Sequence, residues 1–145
     1  MRKLLVAAVL AIASFAIPLA MAQTNPLIGK WKTLDDETGK AMTVSEIYMA
    51  KNGKLASKIV ENLGLPPTCE GCSGEYHGKP FVGIVTMWNL SSTGANTWGN
   101  GNGYKPSEDR HFKVKSVELI DNGERLRVTG CVLFICRKAE WVRVH

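Results

Sequence analysis

His111-Phe-Lys-Val-Lys-Ser-Val-Glu-Leu-Ile120, Asp121-Asn-Gly123, Arg125-Leu-Arg-Val-Thr-Gly-Cys-Val132: read in order, this stretch is strand, tight turn, strand. Leu126, Val128, Gly130 and Val132 alternate with Arg127 and Thr129, a period of two that gives one buried and one wet face. Phe112 and Val114 keep the same period, while Val117-Glu118-Leu119 shifts phase and predicts a bulge. Asp-Asn-Gly supplies residues that tolerate positive φ, as a short antiparallel turn requires.

The same punctuation runs back through the chain. Asp35-Asp-Glu-Thr-Gly-Lys40 separates Lys30–Leu34 from Ala41–Ala50, and Asn52-Gly53 separates that segment from Leu55–Glu61. Phe81–Trp88 is an apolar, β-branched run, and Lys138–Val144 is the last of the series. The pattern amounts to seven or eight strands with no convincing amphipathic helix. Such a sheet leaves unpaired edges unless it closes or stacks. Consecutive hairpins favour closure, so the expectation is an all-β, antiparallel up-and-down barrel of about eight strands. Two longer connections, Gly64–Lys79 and Thr93–Ser107, interrupt the series, and loops of that length are often functional.

At the N-terminus, Arg2 and Lys3 precede the apolar run Leu4–Ile17, Pro18 interrupts it, and Ala20-Met21-Ala22 offers a small-x-small cleavage pattern. These are the three parts of a secretory signal peptide. Residues 1–22 are therefore expected to be removed, leaving a single domain, 23–145, in the periplasm or outside the cell. The run is just long enough for a retained anchor, but Pro18 and the cleavage triplet argue against one. No stable membrane insertion is expected after cleavage. The formal charge of the 145 residues is +5, of which Arg2 and Lys3 supply two, so the exported part carries +3. That charge is interleaved with acids and forms no basic stripe, which argues against a nucleic-acid partner. A monomer is favoured.

Four segments resemble a known family in their order and spacing. They are Gly29-Lys-Trp31-Lys-Thr33-Leu-Asp35-Asp36-Glu-Thr38-Gly39-Lys40, Leu55-Ala-Ser-Lys58-Ile59-Val60, Pro80-Phe-Val-Gly83 and Gly130…Trp141-Val-Arg143. Together they are similar to a bacterial secreted family known as domain of unknown function (DUF) 2147. The resemblance implies a lipocalin-like, or calycin, barrel with no established activity. Calycin barrels open with Gly-x-Trp on the first strand and carry an arginine on the last. The likeness thus assigns Gly29, Trp31 and Arg143 to barrel closure, with guanidinium over indole at the narrow end. One stretch departs from the family pattern: Lys105 precedes Pro106, Asp109 stands at a glycine, and Phe112 stands at a tyrosine.

Cys69, Cys72, Cys131 and Cys136 form an even set in an exported chain, so disulfides are the default. Sequence leaves their connectivity open. A four-cysteine zinc site fits no familiar spacing, and no metal or cofactor is expected. A redox-active Cys69-x-x-Cys72 would want a helix N-terminus to depress one thiol pKa, and the surrounding prolines and glycines indicate a loop. If residues 131–136 were one extended strand, the two Cα atoms would lie about 16 Å apart, beyond disulfide reach. A Cys131–Cys136 bridge therefore requires Val132-Leu133-Phe134-Ile135 to be a four-residue turn, oddly apolar for a turn.

Enzyme signatures are absent: no Gly-x-Ser-x-Gly, His-Glu-x-x-His or phosphate-binding loop occurs. His77, His111 and His145 are scattered, and Asp35-Asp36 reads as turn chemistry. Trp98 and Tyr104, in an Asn/Gly-rich segment, are candidate contacts for a ligand, and Leu133 and Phe134 for a ligand or partner. The leading expectation is a non-catalytic module that binds a small apolar or amphipathic ligand in the barrel mouth. The alternatives are a protein-interaction module and a periplasmic thiol-disulfide oxidoreductase working through Cys69-x-x-Cys72.

Overall fold

Nine strand segments account for more than half of the described residues in a computed structural model, which describes residues 24–145. The expected signal peptide, Met1–Ala22, lies outside the described residues. The segments are β1 (Gly29–Leu34), β2 (Ala41–Met49), β3 (Leu55–Asn62), β4 (Val85–Gly94), β5 (Thr97–Gly99), β6 (Gly101–Lys105), β7 (Arg110–Ile120), β8 (Arg125–Val132) and β9 (Ile135–Arg143). β1 pairs with β2, β2 with β3, β3 with β4, β7 with β8, β8 with β9, and β9 returns to β1, all antiparallel. β5 and β6 both lie between β4 and β7. They are two halves of one strand, broken at Asn100 (φ 58°). The result is a closed, eight-stranded, up-and-down barrel in which no edge is left to aggregate.

Three local expectations need correction. Thr93–Ser107 is not a loop but the end of β4 followed by β5 and β6. Its glycines carry little β propensity, yet the close packing requires them. A Cβ on Gly99 would meet the Lys115 carbonyl oxygen at 2.5 Å, and one on Gly101 the Trp88 carbonyl oxygen at 2.6 Å. The bulge in β7 falls between Val114 and Ser116, not at Val117–Leu119, which pair regularly with Val128–Leu126. Val132 and Ile135 are still paired, so the β8–β9 turn is two residues long, Leu133-Phe134, rather than four.

Antiparallel register gathers the ends of β1, β3, β6 and β8 and the starts of β2, β4, β7 and β9 on one rim. The other end is plugged. Leu27, Trp31, Ile47, Leu90, Trp98 and Leu126 are buried there in one cluster. A second cluster, including Ile59, Cys69, Cys72, Phe81, Ile84 and Tyr104, fastens the Gly64–Lys79 connection to the barrel wall.

Candidate functional site

Between the plug and the open rim lies a cavity of about 650 Å³. Its walls include Ser45 of β2, Ile59 of β3, Met87 of β4, Phe112 of β7, Val128 of β8 and Trp141 of β9. An eight-stranded barrel is just wide enough for its own side chains to fill it or for one small ligand to be held. Small inward residues decide the outcome here, since Ser45, Gly130 and Ala139 all line the space. Phe112 covers two glycines of the neighbouring strands: a Cβ on Gly103 would collide with its ring, and one on Gly130 would come within 2.7 Å of it.

The interior hydroxyls are matched with one exception. Thr33 and Thr43 share a hydrogen bond of 2.6 Å, and Ser57 and Thr86 one of 2.7 Å. Ser45 is buried, lines the cavity, and its Oγ has no hydrogen-bond partner among the described residues. Buried hydroxyls are ordinarily hydrogen-bonded, so Ser45 stands out among the residues of this wall.

Charge is confined to the rim. Glu108 is 2.5 Å from Lys105 and 3.5 Å from Arg110, and Lys105 also lies 3.8 Å from Asp36. The hydrogen bond from Lys105 is the main reason the Glu108 carboxyl is held below its usual range, with Arg110 and Arg137 adding to it. These pairs are solvated and each is worth about 0–1 kcal/mol. Arg137 and Lys138 also line the mouth and form no ion pair among the described residues. The interior is thus apolar, and the rim carries a small surplus of positive charge.

The structure disperses the residues singled out in the sequence. Trp31 is fully buried in the plug, Arg143 stacks on it, and Gly29 (φ 141°) lies where a Cβ would sit 3.5 Å from the Arg143 guanidinium. Trp98 does not meet the cavity: it is buried in the plug cluster on β5. Tyr104 does line the cavity, while its ring stacks on Tyr76 with centroids 5.6 Å apart. Leu133 also borders the mouth, and Phe134 points away from it into solvent. The cysteines pair as Cys69–Cys72 and Cys131–Cys136, each within one loop or hairpin.

Asp109, where the sequence breaks the family pattern, has a geometric role. It adopts φ 47°, a conformation favouring glycine, and uses its side chain as a latch. Its carboxylate accepts hydrogen bonds from the Ser73 N–H (3.0 Å), the Ser73 hydroxyl and the Tyr104 hydroxyl (2.8 Å). The latch ties the disulfide-bearing connection to the strand that carries Tyr104. Asp35 is likewise spent locally, accepting from the Thr38 N–H and hydroxyl in its own turn. Sequence reasoning missed Ser45, Arg137 and Lys138, whose inward or rim positions depend on register.

The chain is similar to known proteins in two comparisons. A family model described as "Uncharacterized protein conserved in bacteria (DUF2147)" matches residues 29–143. A solved structure from the human pathogen Helicobacter pylori, described as belonging to the lipocalin family, superposes with a TM-score of 0.69. Its sequence identity is 18%, over 82% of this chain and 83% of that one, so the likeness is one of fold. No curated protein matches the sequence.

Proposed function

The chain belongs to the bacterial family DUF2147, and from that membership and its lipocalin-like barrel we propose that it is an exported, non-catalytic binding protein for a small amphipathic ligand. The cavity of about 650 Å³ carries this reading, since ligand sites commonly measure about 300–1,000 Å³ with apolar walls and few polar groups. Apolar chain would occupy the space between Ile59, Met87, Val128 and Trp141. The polar end would face Arg137 and Lys138 at the rim.

The oxidoreductase alternative has less support. Cys69 and Cys72 are bonded to each other and buried, with the Pro106 carbonyl 3.5 and 3.6 Å from their sulfurs. Thiol–disulfide exchange needs a sulfur that an incoming thiolate can reach. Export is part of the proposal and rests on the N-terminal sequence: cleavage after Ala22 would leave Gln23 first.

Native mass spectrometry of protein purified without denaturation, together with titration of a fluorescent fatty-acid probe, tests the binding reading. A co-purified amphiphile displaced by the probe is the expected result. Protein that carries nothing and binds no apolar or amphipathic probe overturns the reading. An intact mass retaining Met1–Ala22 overturns export.

A further inference from the structure

We propose that the β8–β9 hairpin tip docks this protein on an anionic lipid bilayer. Of seven large apolar side chains exposed among the described residues, four are consecutive: Val132, Leu133, Phe134 and Ile135. Leu133 is 88% and Phe134 90% exposed, so neither contributes to the barrel core. Leu133 also holds φ 53°, a strained conformation where glycine or asparagine is the ordinary choice. The other described residues leave Leu133 and Phe134 almost wholly uncovered. A monomer gains nothing from this arrangement; an apolar phase outside it would.

The tip is built to keep its shape. Cys131 and Cys136 face each other in the register and are bonded directly beneath Val132 and Ile135. From that bond the hairpin extends two residues further, about 7 Å at strand rise, which matches the depth of about 5–10 Å reached by interfacial segments.

Charge selects the occupant. Arg137 and Lys138 follow the tip on β9, Lys113 lies opposite Cys131 on β7, and Lys115 is next on the same outward face. None of these four cations is in an ion pair among the described residues. The acids of the same rim are already engaged: Glu108 with Lys105 and Arg110, Asp36 with Lys105, and Asp35 with Thr38. Lys113 donates a hydrogen bond to the neutral Asn102 side chain and keeps its charge. An apolar wedge with a collar of cations that lack ion-pair partners is complementary to acyl chains beneath anionic headgroups. Val132, Leu133 and Ile135 also border the cavity mouth, so a docked barrel would turn its opening towards the bilayer. That coupling of docking to cargo rests on the ligand-binding reading above; docking itself does not.

Flotation of the exported protein with vesicles tests the proposal. Vesicles containing phosphatidylglycerol should bind it, with salt weakening the binding, and vesicles of phosphatidylcholine alone should bind it far less. Lys138→Gln should lower affinity about fivefold, the factor equivalent to about 1 kcal/mol per cation at an anionic surface. The double variant Leu133→Gly, Phe134→Ser should abolish flotation while its thermal unfolding stays at the wild-type temperature or above, because both side chains are exposed and glycine relieves the strained φ. Absence of wild-type flotation with anionic vesicles overturns the proposal, as does equal flotation of the double variant. Concentration-dependent self-association that disappears in the double variant, without any vesicle binding, also overturns it and assigns the tip to a second copy. Probe titration in vesicle-free buffer reports on the cavity separately, so the two readings fail independently.

Discussion

Arg143 holds its guanidinium carbon 4.1 Å from the centroid of the Trp31 ring, and the two are register partners across the pairing that joins first strand to last. The arginine is fixed from both sides, donating to the Gly123 carbonyl at 2.7 Å and to the Pro26 carbonyl at 2.8 Å. Trp31 donates its own Nε1–H to the Leu27 carbonyl at 3.0 Å. Barrel closure is thus secured at the plugged end by one stacked pair held by main-chain acceptors.

Trp31→Ala should cost about 3–5 kcal/mol, as truncation of a fully buried aromatic does. Arg143→Ala removes a cation–π contact worth about 0.5–2 kcal/mol. Urea unfolding of both single variants and the double variant should return a coupling energy in that same range. Strictly additive losses would show that stacking contributes nothing to closure. Probe affinity in Arg143→Ala should stay at the wild-type value, because the pair lies away from the cavity.

Trp98→Ala should behave like Trp31→Ala and lose stability, about 3–5 kcal/mol, while the folded fraction keeps its probe affinity. Trp98 belongs to the plug cluster and is paired through β5 with β4 and β7. A stable variant that binds probe weakly would return Trp98 to the ligand contacts.

Trp98 also marks where the sequence stops being legible. Period-two alternation in Leu126–Val132 and the turn chemistry of Asn52-Gly53 and Asp121-Asn122-Gly123 are local signals, and they convey the number of strands and their closure. Thr93–Ser107 defeats the same reading because its strand is made of Asn and Gly, chosen for close approach to Lys115 and Trp88. That requirement comes from neighbouring strands and leaves no mark in local propensity. The cavity is hidden for a related reason. Whether Ser45 or Arg137 faces inward follows from register, and register is fixed by pairing partners distant in sequence. The apolar character of Val132–Ile135 was visible, but its two-residue turn was not, because Leu133 is an unexpected residue at positive φ.

Tyr104 should titrate late. Burial, and then its hydrogen bond to Asp109, push its pKa up from 10.0 to about 12. A raised pKa means that the folded state holds the proton more tightly, so this contribution to stability is full below pH 10 and lost as pH rises towards 12. Asp109 has the opposite sign. Hydrogen bonds from Ser73, then Tyr104, hold its carboxyl below the ordinary 3.8, so its contribution is present above that value and lost as pH falls through the lowered pKa. Phenolate absorbance during alkaline titration should show a late transition that is absent in Tyr104→Phe. In Asp109→Asn that transition should move down, since asparagine keeps the left-handed backbone but not the charge. An unmoved transition would leave burial as the whole cause.

Filling the cavity should separate stability from binding. Ser45 contributes a buried hydroxyl without a partner, and such a group costs about 1–3 kcal/mol. Ser45→Ala removes that cost, and the variant should be as stable as wild type or more so. Ser45→Leu goes further, because its added carbons would project into the space also bordered by Met87 and Trp141. If that space is open, burial of each added CH₂ contributes about 0.8 kcal/mol at most, so stability rises or holds. The same carbons occupy volume that a ligand's chain requires, so fatty-acid probe affinity should fall by at least about tenfold, equivalent to about 1.4 kcal/mol. Opposite signs for stability and binding in one variant are what a cavity reserved for a ligand demands. Were the interior closed in solution, Ser45→Leu would instead overpack it and lose about 1–3 kcal/mol. Denaturant unfolding and probe titration of Ser45→Leu therefore distinguish a reserved space from a packed core.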